Sequence, residues 1–195
     1  MPWCVLSGRF GRVWGSLNKM MDNFTQLKGC KVLLRPFQLT DITTEYVAWL
    51  NDANVVKYSN QRFLTHTKSS CISYWRSFID TPNLFLSVRT LEDGVAVGTM
   101  TAYGSIPHGT VDLGILIGSS SIWGMGVGKD AWGTLLSWLL IEKKIRKVTA
   151  GTLACNKAMI RVIEGSGMRC EAVRPNQEVV DGIPVDLLYY GIYGK

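Results

Sequence analysis

The chain has 195 residues, of which 47% are hydrophobic and 18% are charged, a composition typical of one globular domain with a full apolar core. No apolar run reaches the roughly 20 residues that a membrane-spanning helix needs, and the N-terminus lacks the continuous apolar stretch of a secretory signal. Four of the six net positive charges fall in residues 1–31. The remaining chain is therefore too weakly basic to indicate a nucleic-acid-binding face.

The five cysteines are odd in number and widely spaced, and they include no C-x-x-C pair. This pattern supports neither a disulfide framework nor a zinc site, and it predicts reduced thiols. We therefore expect a cytoplasmic protein that has no metal cofactor and no membrane or nucleic-acid partner.

The chain begins without periodicity. Residues 1–25 show neither a helical nor a strand pattern and predict a flexible N-terminal extension, so that residues 26–195 form the folded domain. The first strand is predicted over Lys31–Pro36, which is rich in branched residues and ends at a proline. Thr40 or Asp41 is expected to cap the helix that follows. The inward face of that helix carries Ile42, Tyr46, Val47 and Leu50.

A second helix is predicted to begin at Thr67 or Ser69. Its inward positions are Ile72, Trp75 and Phe78. Two strands, Leu84–Thr90 and Val95–Tyr103, flank a short glycine-containing turn, which is a hairpin signal. Gly109–Gly118 supplies a third adjacent strand.

The second half of the chain alternates strands and helices. A strong amphipathic helix is predicted from about Gly128 to Lys144. After it come a strand at Lys147–Ala154, a short helix at Lys157–Ser166, and strands at Met168–Ala172 and Val185–Tyr193. The order β-α-α-β-β-β-α-β-α-β-β predicts a single-domain α/β fold with a mixed, mostly antiparallel sheet flanked by helices. Only the β-α-β unit around residue 128 implies a parallel pair.

Three glycines alternate between a strand and a helix at Gly124, Gly126 and Gly128. Without Cβ atoms, such residues let successive backbone N–H groups approach a ligand at a helix N-terminus, where phosphate oxygens bind well. The structural alternative is a tight turn that needs positive φ angles. Three glycines in five positions favour the phosphate site.

Two common phosphate motifs fit this turn poorly. A P-loop would need a glycine where Trp123 stands and a hydroxyl where Asp130 stands. A dinucleotide fingerprint is met by Gly126, Gly128 and Ala131, but it also needs an acid in the next strand, which contains neither Asp nor Glu.

The segments Asp112–Gly118 and Trp123–Lys129 resemble the coenzyme A motif of the GCN5-related N-acetyltransferases (GNAT), written [RQ]-x-x-G-x-[GA]. Trp123 replaces the usual Arg or Gln, as is common in the ribosomal-protein-acetyltransferase-like branch. Asn156–Met168 resembles the second motif of that branch. Tyr46–Asp52 resembles the first helix of a subgroup found among amino-sugar and surface-polysaccharide acetyltransferases. The resemblance extends from the first strand to the last and implies a GNAT fold, with acetyl-CoA as co-substrate.

The resemblance also implies a set of cofactor-binding residues. The backbone groups of Ile115, Leu116 and Ile117 would hold the pantetheine arm, and Asn156 would bond to that arm or to an ordered water. The pyrophosphate would lie on the turn formed by Trp123, Gly124, Met125, Gly126, Val127, Gly128 and Lys129.

Asp112 is the predicted catalytic base, because it lies two residues before Gly114 on the strand where the family often places an acid. A solvated strand carboxylate is an equal alternative. His66, in a loop expected to border the acceptor site, is predicted to bind substrate, with a surface or capping role as the alternative. No residue is identified as the general acid, since Met159 stands where the branch often has a serine.

The sequence therefore predicts an acetyl-CoA-dependent N-acetyltransferase that acts on a primary amine, first of all the amino group of a nucleotide-linked sugar. One alternative is a protein α-amino terminus or an antibiotic. Another is a non-catalytic domain that binds acyl-CoA. The expected partner is a small-molecule or peptide amine, and the choice between a monomer and a homodimer stays open.

Overall fold

The computed structural model describes residues 24–194, so the N-terminal extension predicted over residues 1–25 lies almost wholly outside the described residues. Within them the chain forms one α/β domain whose single sheet has eight strands. The strands are β1 (Leu27–Lys28), β2 (Val32–Pro36), β3 (Leu84–Thr90), β4 (Ala96–Ser105), β5 (Thr110–Ile117), β6 (Lys147–Leu153), β7 (Arg169–Val180) and β8 (Ile183–Tyr193). The α-helices are α1 (Thr44–Asn51), α2 (Lys68–Arg76), α3 (Val127–Ser137) and α4 (Lys157–Gly165).

The sheet runs in the order β1-β2-β3-β4-β5-β6-β8-β7. Every neighbouring pair is antiparallel except β5 and β6, which confirms the single parallel pair predicted around residue 128. That parallel pairing covers three residue pairs and ends at Asp112 and Thr149. Beyond Thr149, strand β6 continues to Leu153 with β8 as its partner, so that β5 and β6 are no longer hydrogen-bonded to each other.

Each face of the sheet carries its own apolar cluster. Helices α3 and α4 cover one face, where Trp132, Leu135 and Ile163 are fully buried among the strand residues. Helices α1 and α2 cover the other face over β2 to β4, where Trp49 and Phe85 are buried in a second cluster. Within residues 24–194, no helix has the length and apolar character required to cross a bilayer.

Several element boundaries differ from those predicted. Helix α1 is capped by Thr43, whose side chain accepts from the Tyr46 amide at 3.1 Å, and not by Thr40 or Asp41. Asp41 instead forms an ion pair with Arg35 at 2.6 Å. Strand β7 extends to Val180 and not to residue 172, because its long hairpin with β8 contains two register shifts that break the alternation of the sequence.

The turn between β1 and β2 is fastened to the start of helix α3 by one carboxylate. Asp130, in the first turn of α3, accepts hydrogen bonds from the backbone amides of Cys30, Lys31 and Val32 at 3.2, 2.7 and 3.1 Å. Gly29 makes this approach possible, since a Cβ there would lie 2.5 Å from a carboxylate oxygen of Asp130. The first strands of the sheet and the helix that follows the glycine-rich turn are therefore held as one unit.

Replacing Asp130 with Ala should lower the free energy of unfolding by about 1–3 kcal/mol, since three amides lose a charged acceptor and exposure to water compensates in part. Chemical denaturation measures the change. Glu92→Ala, at an exposed position in the β3–β4 turn, is the control and should stay within about 0.5 kcal/mol of the parent. Equal effects of the two substitutions would contradict the role given to Asp130.

Candidate active site

The first part of the site is the gap between β5 and β6. The Gly118 amide donates to Val97 on β4 at 2.9 Å. Because backbone groups alternate in direction along a strand, those of Leu116 also face β4, whereas those of Ile115 and Ile117 face the gap. After the last parallel pair at Asp112, the gap-facing backbone groups of Ile115 and Ile117 have no partner on β6 and are available to a ligand. The backbone groups of Leu116, which the sequence analysis also assigned to the ligand, pair with β4 instead.

The second part is the glycine-rich turn at the mouth of this gap. Gly124 and Gly126 have φ angles of +79° and +82°, a left-handed conformation that favours glycine. The first helical hydrogen bond of α3 joins the Asp130 amide to the Gly126 carbonyl at 3.0 Å. The amides of Val127, Gly128 and Lys129 lie before it and are not used by the helix. They lie at the positive end of the helix dipole, so this turn has the properties of an anion site.

Trp123 joins the turn to strand β5. Its indole N–H donates to the Ile117 carbonyl at 2.9 Å, and its ring stays 46% exposed. This bond occupies the gap-facing carbonyl of Ile117. The amide and the carbonyl of Ile115 also face the gap and stay available to a ligand. The tryptophan that replaces the usual Arg or Gln of the motif thereby fixes the start of the turn against the end of the strand.

The third part is a pocket of about 500 Å³ on the other face of the sheet, beneath the loop between α1 and α2. Gly114, Ile115 and Leu116 of β5 line its inner end. Its hydroxyl-bearing lining residues are Tyr46, Ser59, Thr65, Ser70, Tyr74, Thr99 and Thr101. Among the described residues, no Asp, Glu, Lys or Arg side chain lines it. The pocket therefore suits a ligand body that is polar but uncharged.

The pocket residues Cys71, Tyr46 and Tyr74 are held in their neutral forms. Burial raises the pKa of the Cys71 thiol, and it raises the pKa of the Tyr46 and Tyr74 hydroxyls. The Tyr74 hydroxyl also shares a hydrogen bond of 2.7 Å with that of Tyr103. An environment that disfavours ionised groups disfavours a protonated amine in the same way.

His66, the residue predicted to bind substrate, lines this pocket. The Asn51 side chain holds its backbone, accepting from the His66 amide and donating to its carbonyl, both at 2.9 Å. Its Nε2 is buried and has no hydrogen-bond partner among the described residues. A buried polar atom without a partner is costly, and the residue that carries this one lines the pocket.

Asp112 lies at the point where β5 and β6 separate. One carboxylate oxygen accepts from the Thr149 hydroxyl across the two strands at 2.7 Å. Desolvation by the surrounding chain raises the pKa of the Asp112 carboxyl, and the Thr149 hydrogen bond opposes that shift. Asp112 does not line the pocket with His66. It shares a strand face with Gly114 at the pocket's inner end, about 6–7 Å along the strand.

Two further observations concern the predicted set. Asn156 caps helix α4, where its side-chain oxygen accepts from the Met159 amide at 3.2 Å. The sequence analysis did not identify Thr99 and Thr101 as pocket residues, although alternation along β4 places both on one face. The sequence contains no signal that α2 lies over that face.

Within the described chain, no three His, Cys, Asp or Glu side chains cluster as metal ligands.

Comparison with known proteins gave a match to one family model. The family model described as "Acetyltransferase (GNAT) domain" matches residues 31–169. A search of curated proteins gave no match.

Three solved structures illustrate the structural similarity. A GNAT-family acetyltransferase from Bacillus anthracis is 20% identical, with 87% of this chain and 99% of that chain covered and a TM-score of 0.74. The spermidine N-acetyltransferase from Vibrio cholerae, solved with CoA and spermine, is 14% identical, with 84% and 95% covered and a TM-score of 0.75. A ribosomal-protein-S5-alanine acetyltransferase from Vibrio fischeri is 13% identical, with 88% and 97% covered and a TM-score of 0.74. At these identities the likeness concerns the fold.

Replacing Gly126 with Val should weaken acetyl-CoA binding at least tenfold, about 1.4 kcal/mol, because the added side chain crowds the amides of the turn. Isothermal titration on the folded variant measures this. The matched control is Gly94→Val, since Gly94 also has a positive φ, +67°, and no atom within 4 Å of an added Cβ. The two variants carry similar backbone strain, so equal cofactor affinities would argue against a phosphate site at Gly126.

Proposed function

Since the chain belongs to the GNAT acetyltransferase family, whose members transfer an acetyl group from acetyl-CoA to an amine, we propose that its acceptor is a small primary amine carried on an uncharged, hydroxyl-bearing body. The amino group of a nucleotide-linked sugar is the first candidate. The observation that carries the proposal is the acceptor pocket, which is lined by seven hydroxyl-bearing residues and by His66 with its unpartnered Nε2, and which has no Asp, Glu, Lys or Arg in its lining among the described residues.

The described residues fit acetyl-CoA, which supplies the thioester whose carbonyl carbon is attacked. The backbone groups of Ile115 would bond to the pantetheine arm in the gap between β5 and β6. The first-turn amides of α3 would hold the pyrophosphate, with Gly124 and Gly126 leaving space for it. The cofactor and the acceptor would then meet at Gly114 and Ile115, which line the inner end of the pocket.

The pocket would help to generate the nucleophile. A free primary amine is mostly protonated near neutral pH, and only its neutral form attacks a thioester. The burial that raises the pKa of Cys71 and Tyr46 disfavours charge, so it would lower the pKa of a bound amine. A polyamine fits poorly, because its several ammonium groups would find no carboxylate in the pocket lining.

Asp112 would complete the deprotonation as general base. Its position about 6–7 Å along the strand from Gly114 leaves room for one water between the carboxylate and the amine. Desolvation moves the pKa of Asp112 upward from its ordinary value of 3.8, which makes the carboxylate a stronger base. The Thr149 hydroxyl would hold that carboxylate in place.

A second cavity, of about 650 Å³, adjoins the acceptor pocket and supports a nucleotide-linked substrate. The two cavities share Leu50, Leu64 and Thr65 in their linings. The second contains Lys57 and Arg62, which lie 3.0 and 3.7 Å from Asp181 and Glu178. The diphosphate of such a substrate would replace the two carboxylates as the partner of Lys57 and Arg62, while its sugar would occupy the uncharged pocket.

The proposal is tested by measuring thiol release from acetyl-CoA with a panel of nucleotide-linked amino sugars, free amino sugars, peptides with free N-termini, and spermidine. We expect the nucleotide-linked amino sugars to give the highest kcat/KM. His66→Phe should raise the acceptor KM severalfold and leave cofactor affinity unchanged. A preference for spermidine or peptides would overturn the acceptor class. Tight cofactor binding without turnover of any amine would indicate a non-catalytic acyl-CoA-binding domain.

Asp112→Asn should lower kcat by roughly 10²–10⁴-fold, the usual contribution of a positioned base, with cofactor affinity unchanged. In the parent, activity should fall as the pH drops through the Asp112 pKa, which lies above 3.8, because the protonated carboxyl cannot accept a proton. The variant should lose that limb and recover part of its rate at high pH, where more of the amine is already neutral. A parental pH–rate profile in the variant would show that Asp112 is a solvated strand residue.

A further inference from the structure

Lys31 connects the β1–β2 turn to the glycine-rich turn. Its ammonium Nζ donates to the Met125 carbonyl oxygen at 2.7 Å, and it would lie 3.6 Å from a Cβ added at Gly126. Its backbone is held on both sides, with its amide bonded to Asp130 at 2.7 Å and its carbonyl accepting from the Leu91 amide at 2.8 Å. This lysine is therefore fixed at its base and reaches across to one peptide group of the turn.

That peptide group joins Met125 to Gly126 and is trans. In a trans peptide the N–H and the C=O point in opposite directions. With the Met125 carbonyl held by Lys31, the Gly126 N–H must point away from the lysine. Among residues 24–194 no other hydrogen bond fixes this direction, since the first helical bond uses the Gly126 carbonyl and not its amide.

Glycine makes the direction of this peptide easy to lose. Rotating the peptide plane changes ψ of Met125 and φ of Gly126, and glycine adopts positive and negative φ about equally well. The conformation observed, with φ of +82° at Gly126, is one of several that the residue could adopt. A charged donor on the adjacent carbonyl selects among them.

We infer that Lys31 is a positioning residue of the cofactor site: by holding the Met125 carbonyl it aims the Gly126 amide at the pyrophosphate of coenzyme A. The inference rests on the proposed cofactor site. It also gives the Asp130 carboxylate a part in the cofactor site, because this carboxylate holds the backbone from which the Lys31 side chain extends. The β1–β2 turn thereby takes part in cofactor binding although it precedes the glycine-rich motif by more than ninety residues.

The test compares Lys31→Met, which removes the ammonium and keeps an unbranched apolar side chain, with Lys31→Arg and Lys28→Met. Lys28 is exposed on the same hairpin and carries the same charge. Titration calorimetry with coenzyme A should give a Kd roughly three- to tenfold weaker for Lys31→Met, a partial recovery for Lys31→Arg, and no change for Lys28→Met. Lys31→Gln replaces the methionine variant if circular dichroism shows that the latter does not fold.

A donor without phosphates separates positioning from a general structural loss. With S-acetyl-pantetheine, Lys31→Met should keep the parental kcat/KM, whereas with acetyl-CoA its KM should rise and its kcat stay unchanged. Parental coenzyme A affinity in Lys31→Met, or an equal loss with both donors, would overturn the inference. An equal loss in Lys28→Met would assign the effect to net charge. If the parent protein itself does not bind coenzyme A, the proposed cofactor site fails, and that outcome is distinct from all of these.

Discussion

Strands β5 and β6 share only three residue pairs, and the rest of the site depends on where that pairing stops. Up to Asp112 and Thr149 the two strands satisfy each other's backbone groups. Beyond that point β6 pairs only with β8, and the gap-facing groups of β5 need another partner. An extended ligand with its own amides, such as a pantetheine arm, would meet that need. In the proposed function this one early divergence would provide both the binding slot and the position of the reacting carbonyl.

The cofactor end and the acceptor end of the site have opposite electrostatic character. At the glycine-rich turn, free amides and the helix dipole favour negative charge. In the acceptor pocket, burial favours neutral groups, as the raised pKa of Cys71 shows. In the proposed function a highly charged cofactor tail and an uncharged nucleophile would therefore be bound in one small domain.

Much of this arrangement was predictable because it follows from local pattern. The glycine spacing at Gly124, Gly126 and Gly128 predicted the turn, and the branched runs predicted most strands. The cap of α1 at Thr43 was missed because three neighbouring residues could each serve as a cap, and tertiary ion pairs decided among them. The contacts of Asp130 and Lys31 join segments about one hundred residues apart. A single sequence contains no pattern that pairs such distant residues, so they became visible only in the folded chain.

The indole of Trp123 also has an optical consequence. The other tryptophans among residues 24–194 are better shielded. Trp49, Trp132 and Trp138 are 8%, 0% and 6% exposed and Trp75 is partly buried, whereas Trp123 is 46% exposed beside the turn. Indole emission shifts to shorter wavelength when water leaves the ring, and an adenine-containing ligand can quench it. Since the ring is held in place by its bond to Ile117, its fluorescence would change with occupancy of the turn and not with its own rotation. The residue that departs from the usual motif gives this domain an intrinsic reporter for its cofactor.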